Sequence, residues 1–154
     1  MKILVVCTGN TCRSALAESL LRAALEPIGN VTVTSAGTGA WEGAPASEGA
    51  YLVGLENGLD LSGHRARMLS RELVAAADLI LTMSRHHAAR VAELGGSGRV
   101  HLIGEFAGKS GPSAEVSDPF GGDLEGYRET YAELTELAAG VAARLTAERT
   151  GDQR

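Results

Sequence analysis

The segment that decides the fold is MKILVVCTGNTCRSALAESLLRAAL, residues 1–25. Residues 3–6 form a short apolar run without alternation, which predicts a central strand buried on both faces. A polar loop that contains glycine follows the strand. Ser14 is then the expected N-cap of an amphipathic helix. A buried strand, a glycine-containing loop and a helix in this order indicate the beginning of an α/β fold.

The same alternation continues along the chain. Further strands are predicted at 31–35, 79–83 and 100–103, and helices at 47–56, from Ser70, at 84–94 and at 124–148. We therefore expect a three-layer α/β fold in which helices flank a parallel sheet. Residues 1–149 are predicted to form one domain, and residues 150–154 to be a frayed tail.

Composition excludes several classes of protein. Hydrophobic residues make up 44% of the 154 residues, which is typical of a globular domain. The net charge of −5 argues against a nucleic-acid partner, and the absence of a long apolar run argues against a membrane partner. Two cysteines exclude a disulfide scaffold. The short apolar stretch at the N-terminus does not suit a signal peptide, so the expected location is the cytoplasm.

The loop after the first strand, CTGNTCRS at residues 7–14, has the features of an anion cradle. It leads into a helix N-terminus, whose N–H groups and dipole favour an anion. Gly9 and Asn10 tolerate left-handed backbone angles, and the Arg13 guanidinium can bind two phosphate oxygens at once. The expected phosphate ligands are the loop residues Thr8, Gly9, Asn10, Thr11, Cys12, Arg13 and Ser14.

Cys7 lies at the base of this loop. The loop N–H groups and the Ser14 hydroxyl would stabilise its thiolate. A thiolate beneath a bound phosphate is a nucleophile aimed at phosphorus. The alternative interpretation of the C-x5-R spacing is a buried cysteine at a strand end beside a surface arginine.

Other phosphate and metal motifs are unconvincing. The GKS at residues 108–110 lacks the spacing of a Walker A loop, and Glu42 interrupts the glycine pattern that begins at Gly37. The cysteines and the four histidines show no known metal-ligand spacing, and His86 and His87 are expected on a solvated helix face. We therefore expect neither a metal nor another cofactor.

Three motifs resemble the low-molecular-weight protein tyrosine phosphatase family over nearly the whole chain. They are CTGNTCRS at 7–14, SAGT at 35–38 and the pair Asp118-Pro119. The resemblance implies a four-stranded parallel sheet of order 2-1-3-4. It also implies that Cys7 is a nucleophile that forms a cysteinyl-phosphate and that Asp118 is the general acid and base.

The resemblance assigns further roles around the loop. Arg13 would bind the phosphoryl oxygens, Ser14 would stabilise the cysteine thiolate, and Asn10, Ser35 and His64 would hold the loop in shape. For Cys12, two interpretations remain open. One is packing inside the loop, and the other is a reversible disulfide with Cys7 that protects the nucleophile.

The sequence gives mixed indications of the substrate. Thr11 and DPFGG at 118–122 resemble the protein arginine phosphatase branch of the family, whereas Trp41 resembles an aromatic pocket wall of the tyrosine phosphatases, with Phe120 as the other wall. The expected substrates are phosphorylated proteins, with phosphate and other oxyanions as ligands. Phosphoarginine is slightly favoured over phosphotyrosine.

Three alternatives remain. One is a strict protein tyrosine phosphatase. The second is an arsenate reductase, which the lack of any cysteine after Cys12 disfavours. The third is a non-catalytic phosphate-binding module, which would not need a nucleophile.

Overall fold

A four-stranded parallel sheet lies at the centre of the computed structural model, which describes residues 1–152. The strands are β1 (Lys2–Cys7), β2 (Thr32–Gly37), β3 (Leu79–Thr82) and β4 (Val100–Leu102). Their order is β2-β1-β3-β4, and every neighbouring pair is parallel. The predicted α/β class, parallel sheet and 2-1-3-4 order are confirmed.

Helices follow each strand. They are α1 (Arg13–Leu25), α2 (Glu48–Glu56), α3 (Arg71–Ala76), α4 (Arg85–Val91), α5 (Ile103–Phe106) and α6 (Leu124–Asp152). Short 3₁₀ turns lie at Glu26–Ile28 and Gly111–Ala114, and a π turn at Ala92–Gly96 follows α4. Within residues 1–152, no helix is both long enough and apolar enough to cross a membrane.

The two faces of the sheet bury separate cores. Successive side chains of a strand point to opposite faces. Ile3 and Val5 of β1 therefore pack with residues of α1 and α6, whereas Leu4 and Val6 pack with residues of α3 and α4. This arrangement confirms the predicted three layers, and it explains why β1 shows no polar alternation.

The beginning of α1 differs from the prediction. The helix begins at Arg13 with Cys12 as the N-cap residue, so Ser14 lies inside the first turn. Its hydroxyl hydrogen bonds to loop side chains and not to the helix N-terminus. The prediction that Ser14 caps the helix is therefore wrong, whereas the Ser70 hydroxyl accepts the N–H of Leu73 and caps α3 as expected.

Two other expectations have different outcomes. His87 is fully buried, because its ring faces the loop after β1, so the expected solvated position is wrong for His87. The last helix extends past residue 148 to Asp152. The final two residues of the expected tail, 153–154, lie outside the described residues.

The topology places two loops side by side. Strands β1 and β3 are neighbours at the sheet centre, with Val6 opposite Thr82. The chain leaves β1 toward β2 on one side and leaves β3 toward β4 on the other. This divergence is a topological switch point, where α/β sheets bind ligands at the carboxyl ends of their strands.

One close backbone approach generates a stability prediction. A Cβ atom at Gly104 in α5 would lie 2.2 Å from the Ala114 carbonyl oxygen, in the turn that precedes the segment of Asp118. Because the clashing atoms of Ala114 are backbone atoms, they cannot move aside as a flexible side chain can. We expect Gly104→Ala to lower the free energy of unfolding by about 1–3 kcal/mol, measured by urea denaturation. The control is Gly63→Ala, where no atom lies within 4 Å and little change is expected. Equal stability of the two variants would contradict the prediction.

Candidate active site

Asn10 shapes the loop between β1 and α1. Its backbone is left-handed with φ 57°, and its side chain is fully buried. The Nδ2 group donates to Ser14 Oγ at 2.8 Å and to Ser35 Oγ at 2.9 Å, while Oδ1 accepts the Arg67 N–H at 2.9 Å. His64 Nε2 lies 2.6 Å from the Asn10 carbonyl oxygen. These contacts offset the cost of the rare backbone conformation.

The Cys7 sulfur lies at the base of the loop, and its residue is only 3% exposed. Ser14 Oγ is 2.8 Å from Sγ, and the Asn10 N–H donates to Sγ at 3.3 Å. Ser14 Oγ also accepts from the Asn10 side chain, so its own proton remains to be donated to the sulfur. Two hydrogen-bond donors therefore face Sγ.

Unpaired backbone donors surround the same point. Within the described part of the chain, the N–H groups of Thr8, Gly9, Thr11 and Cys12 donate to no protein acceptor. Consecutive N–H groups of this kind form an anion-binding nest. The loop can therefore hold an oxyanion directly above the Cys7 sulfur.

Arg13 and Asp118 complete the cavity. Arg13 is 4% exposed, and its Nη1 donates to the Val116 carbonyl at 3.0 Å. Its Nη2 lies 3.5 Å from Asp118 Oδ2. The other carboxylate oxygen, Oδ1, accepts the N–H of Phe120 at 3.0 Å. The buried Arg13 guanidinium thus contacts both the Val116 carbonyl and the Asp118 carboxylate of the segment 116–120.

A cavity of about 170 Å³ is lined by Cys7, Thr8, Gly9, Thr11, Cys12, Arg13, Asp118 and Phe120. Its size suits a phosphoryl group better than a whole drug-sized ligand. A larger cavity of about 430 Å³ includes Glu18 and His64 in its lining, but it does not include Cys7. The smaller cavity is the candidate active site, because the thiol, the guanidinium and the carboxylate meet there.

The two aromatic side chains expected to line the pocket are placed differently. Phe120 lines the cavity, although it is 72% exposed. Trp41 is not among the lining residues and is 85% exposed. Its loop turns at this point, since the Trp41 carbonyl accepts the N–H of Ala44 at 3.0 Å.

Cys12 is buried and lines the same cavity as Cys7. Burial, together with the charges of Cys7 and Asp118, raises the pKa of the Cys12 thiol to about 12, against the opposing effects of Arg13 and Ser47. Cys12 is therefore a neutral thiol near pH 7. Both cysteines are unpaired in the structure, so the disulfide between them stays a prediction.

Sequence reasoning missed two residues that support the loop. The Ser35 hydroxyl donates a hydrogen bond to Glu18 Oε1, with 3.1 Å between the two oxygens. This contact leaves the Ser35 oxygen facing the Asn10 amide as an acceptor. His87 Nε2 lies 2.8 Å from Thr8 Oγ1. Glu18 was identifiable as an acidic residue one turn after Ser14 on α1, but nothing local connects His87 to a loop 79 residues away.

The donor set offers little to a metal. Among the described residues, no group of three or more histidine, cysteine, aspartate or glutamate side chains is placed to hold a metal ion. The positive field of the cavity comes from Arg13 and the loop N–H groups.

Comparisons with known proteins agree on one family. The family model described as low molecular weight phosphotyrosine protein phosphatase matches residues 2–151. The protein-arginine-phosphatase of Bacillus subtilis (strain 168) is 38% identical over 152 residues, which cover 97% of this chain and 99% of that protein. The low molecular weight protein-tyrosine-phosphatase Wzb of Escherichia coli (strain K12) is 40% identical over 149 residues, covering 96% and 97%.

A solved structure extends the likeness to three dimensions. It is described as a cysteine-to-serine mutant of the arginine phosphatase YwlE with a phosphorylated active-site serine. It superposes with a TM-score of 0.89 at 37% identity, covering 97% of this chain and 99% of that one. With a family model that spans nearly every residue, the chain belongs to the low molecular weight phosphotyrosine protein phosphatase family.

Proposed function

We propose that this protein is a cysteine-dependent protein phosphatase that hydrolyses phosphoarginine or phosphotyrosine through a cysteinyl-phosphate intermediate. One observation carries the proposal: the Cys7 sulfur, the Arg13 guanidinium and the Asp118 carboxyl group line the same small cavity beneath unpaired loop N–H groups. The phosphorylated active-site serine of the related mutant structure supports a nucleophile at this position.

In the first step, the Cys7 thiolate attacks phosphorus and forms the S–P bond while the bond to the leaving nitrogen or oxygen breaks. Asp118 donates its proton to the leaving group. Arg13 and the loop N–H groups stabilise the negative charge on the equatorial phosphoryl oxygens. The 3.5 Å contact between Arg13 and Asp118 supports a shared position at the phosphate.

In the second step, the Asp118 carboxylate takes a proton from water, and the water oxygen attacks phosphorus. The S–P bond breaks, inorganic phosphate is released, and the cysteine leaves as a thiolate. Ser14 stabilises this thiolate by donating the hydroxyl proton that its contact with Asn10 leaves free. Asn10, Ser35 and His64 hold the loop that makes both steps possible.

Phosphoarginine is the favoured substrate. Thr11 and Phe120 line the cavity, and Thr11 is the residue that resembles the arginine phosphatase branch. The displacement of Trp41 from the lining leaves only one aromatic wall for a phenyl ring. Phosphotyrosine remains the second candidate, because the tyrosine phosphatase Wzb is as similar in sequence as the arginine phosphatase.

The two cysteines also indicate where in the cell the enzyme would act. A thiol nucleophile requires reducing conditions, and both cysteines are free. We therefore place the enzyme in the cytoplasm, where it would act on phosphorylated proteins.

Replacing the nucleophile separates chemistry from binding. Cys7→Ser should abolish turnover of p-nitrophenyl phosphate, because a serine hydroxyl is a far weaker nucleophile than a thiolate. Tungstate binding, measured by calorimetry, should survive because Arg13 and the loop remain. Cys12→Ser is the matched comparison, and turnover should persist in it. Normal turnover by Cys7→Ser would refute the mechanism.

The role of Asp118 is tested by the leaving group. Asp118→Asn removes the transferable proton, and kcat should fall by about 10²–10⁴-fold on phosphopeptides. The loss should be smaller for p-nitrophenyl phosphate, whose leaving group needs little protonation. An equal loss on both kinds of substrate would show that Asp118 is not the acid.

The substrate preference is tested at Thr11. Steady-state rates of the wild type on phosphoarginine, phosphotyrosine and phosphoserine peptides should rank phosphoarginine first and phosphoserine last. Thr11→Ile should shift the ratio of kcat/KM values toward phosphotyrosine, because a larger aliphatic side chain narrows the cavity around a planar guanidinium. An unchanged ratio would remove Thr11 as the determinant of specificity.

A further inference from the structure

We propose that His87 is a positioning residue of the phosphate-binding loop, which holds the Thr8 side-chain oxygen as an acceptor and so leaves the Thr8 hydroxyl proton to bind an oxyanion. This role rests on the proposed function, because it concerns the same cavity. It adds one side-chain donor to the loop N–H groups and Arg13. It also means that α4, which packs on the other face of the sheet from α1, contributes to the phosphate site.

His87 is held from both ring nitrogens. Its residue is 0% exposed. Nδ1 lies 3.1 Å from the backbone nitrogen of Ser84, and Nε2 lies 2.8 Å from Thr8 Oγ1. The ring thus bridges the beginning of α4, which follows β3, and the loop that follows β1.

These two contacts fix the tautomer. The Ser84 N–H can only donate, so Nδ1 must accept and carry no proton. In a neutral imidazole the proton then lies on Nε2, which donates to Thr8 Oγ1. Burial, followed by the charges of His86 and Arg13, lowers the pKa of His87 to about 4, against the opposite effects of Asp118 and Glu115. The ring is therefore neutral near pH 7.

The consequence appears at Thr8. A hydroxyl has one proton, and Thr8 Oγ1 receives its hydrogen bond from His87, so its own proton is free to be donated elsewhere. No protein acceptor for that proton lies within the described residues. Thr8 lines the catalytic cavity beside Gly9 and Cys7, and its exposed side chain has access to a ligand there.

Ser84 links the same histidine to the guanidinium. Its Oγ lies 3.5 Å from Arg13 Nη1, while its backbone N–H is bound by His87. The position of Ser84 therefore affects Arg13, and the position of Thr8 affects the nest of N–H groups. His87 contacts both Thr8 and Ser84 without itself lining the cavity.

The test measures tungstate affinity by calorimetry and kcat and KM for p-nitrophenyl phosphate. Thr8→Val replaces the hydroxyl with a methyl group of similar size and should weaken tungstate binding by about two- to tenfold. Thr8→Ser keeps the hydroxyl and should retain wild-type affinity. His87→Asn keeps an acceptor for the Ser84 N–H but does not reach Thr8, so it should match Thr8→Val.

The double variant and a neighbouring control decide the outcome. Thr8→Val combined with His87→Asn should lose no more affinity than either single variant, because both remove one interaction. His86→Asn makes the same change at the exposed adjacent histidine and should bind tungstate as the wild type does. The proposal would be overturned if Thr8→Val bound tungstate as tightly as the wild type. It would also be overturned if the fold-losses in affinity of the two single variants multiplied in the double variant. Failure of the wild type to bind tungstate would overturn the proposed function as well.

Discussion

The hydrogen bonds of the Asn10 side chain hold the catalytic loop in place. A residue with φ 57° costs free energy unless its surroundings fix it, and here the nitrogen and oxygen of the side-chain amide are hydrogen bonded to three other residues, Ser14, Ser35 and Arg67. The loop is thereby closed around the Cys7 sulfur. The N–H groups of Thr8, Gly9, Thr11 and Cys12 then have no acceptor among residues 1–152, and this gives them an affinity for an oxyanion.

The direction of these hydrogen bonds follows from two groups, the Arg67 N–H, which can only donate to Asn10 Oδ1, and the Glu18 carboxylate, which accepts from Ser35. An ionised Glu18 can only accept, so the Ser35 hydroxyl must donate to it and accept from Asn10. The second amide proton of Asn10 is then donated to Ser14, whose proton is left for the Cys7 sulfur. The Arg67 N–H thus sets the orientation of the Asn10 amide, and Glu18 on α1 sets the direction of the Ser35 hydroxyl.

The sequence predicted the parts of the structure that depend on neighbouring residues. The strand at 3–6 and the loop at 7–14 are contiguous, so both the sheet and the phosphate cradle were visible in one segment. Long-range contacts were not visible: His87 carries no local sign of its bond to Thr8, and the exposure of Trp41 outside the cavity lining has no local sign either. Ser14 was misassigned because a serine before a helical run is typical of an N-cap, whereas here its hydroxyl is needed by the sulfur.

The contacts of Arg13 couple anion binding to the surface of the protein. Its guanidinium holds the carbonyl of Val116, and the adjacent residue Glu115 is paired at 3.0 Å with the exposed Arg85. Thermodynamic linkage is reciprocal. An oxyanion that binds Arg13 therefore changes the stability of the contacts made by Glu115 and Val116, and a change in those contacts alters the affinity for the oxyanion by the same factor. Ionic strength screens exposed ion pairs more than buried ones, so salt would weaken the Arg85–Glu115 pair and, through residues 115 and 116, act on a guanidinium that is itself only 4% exposed.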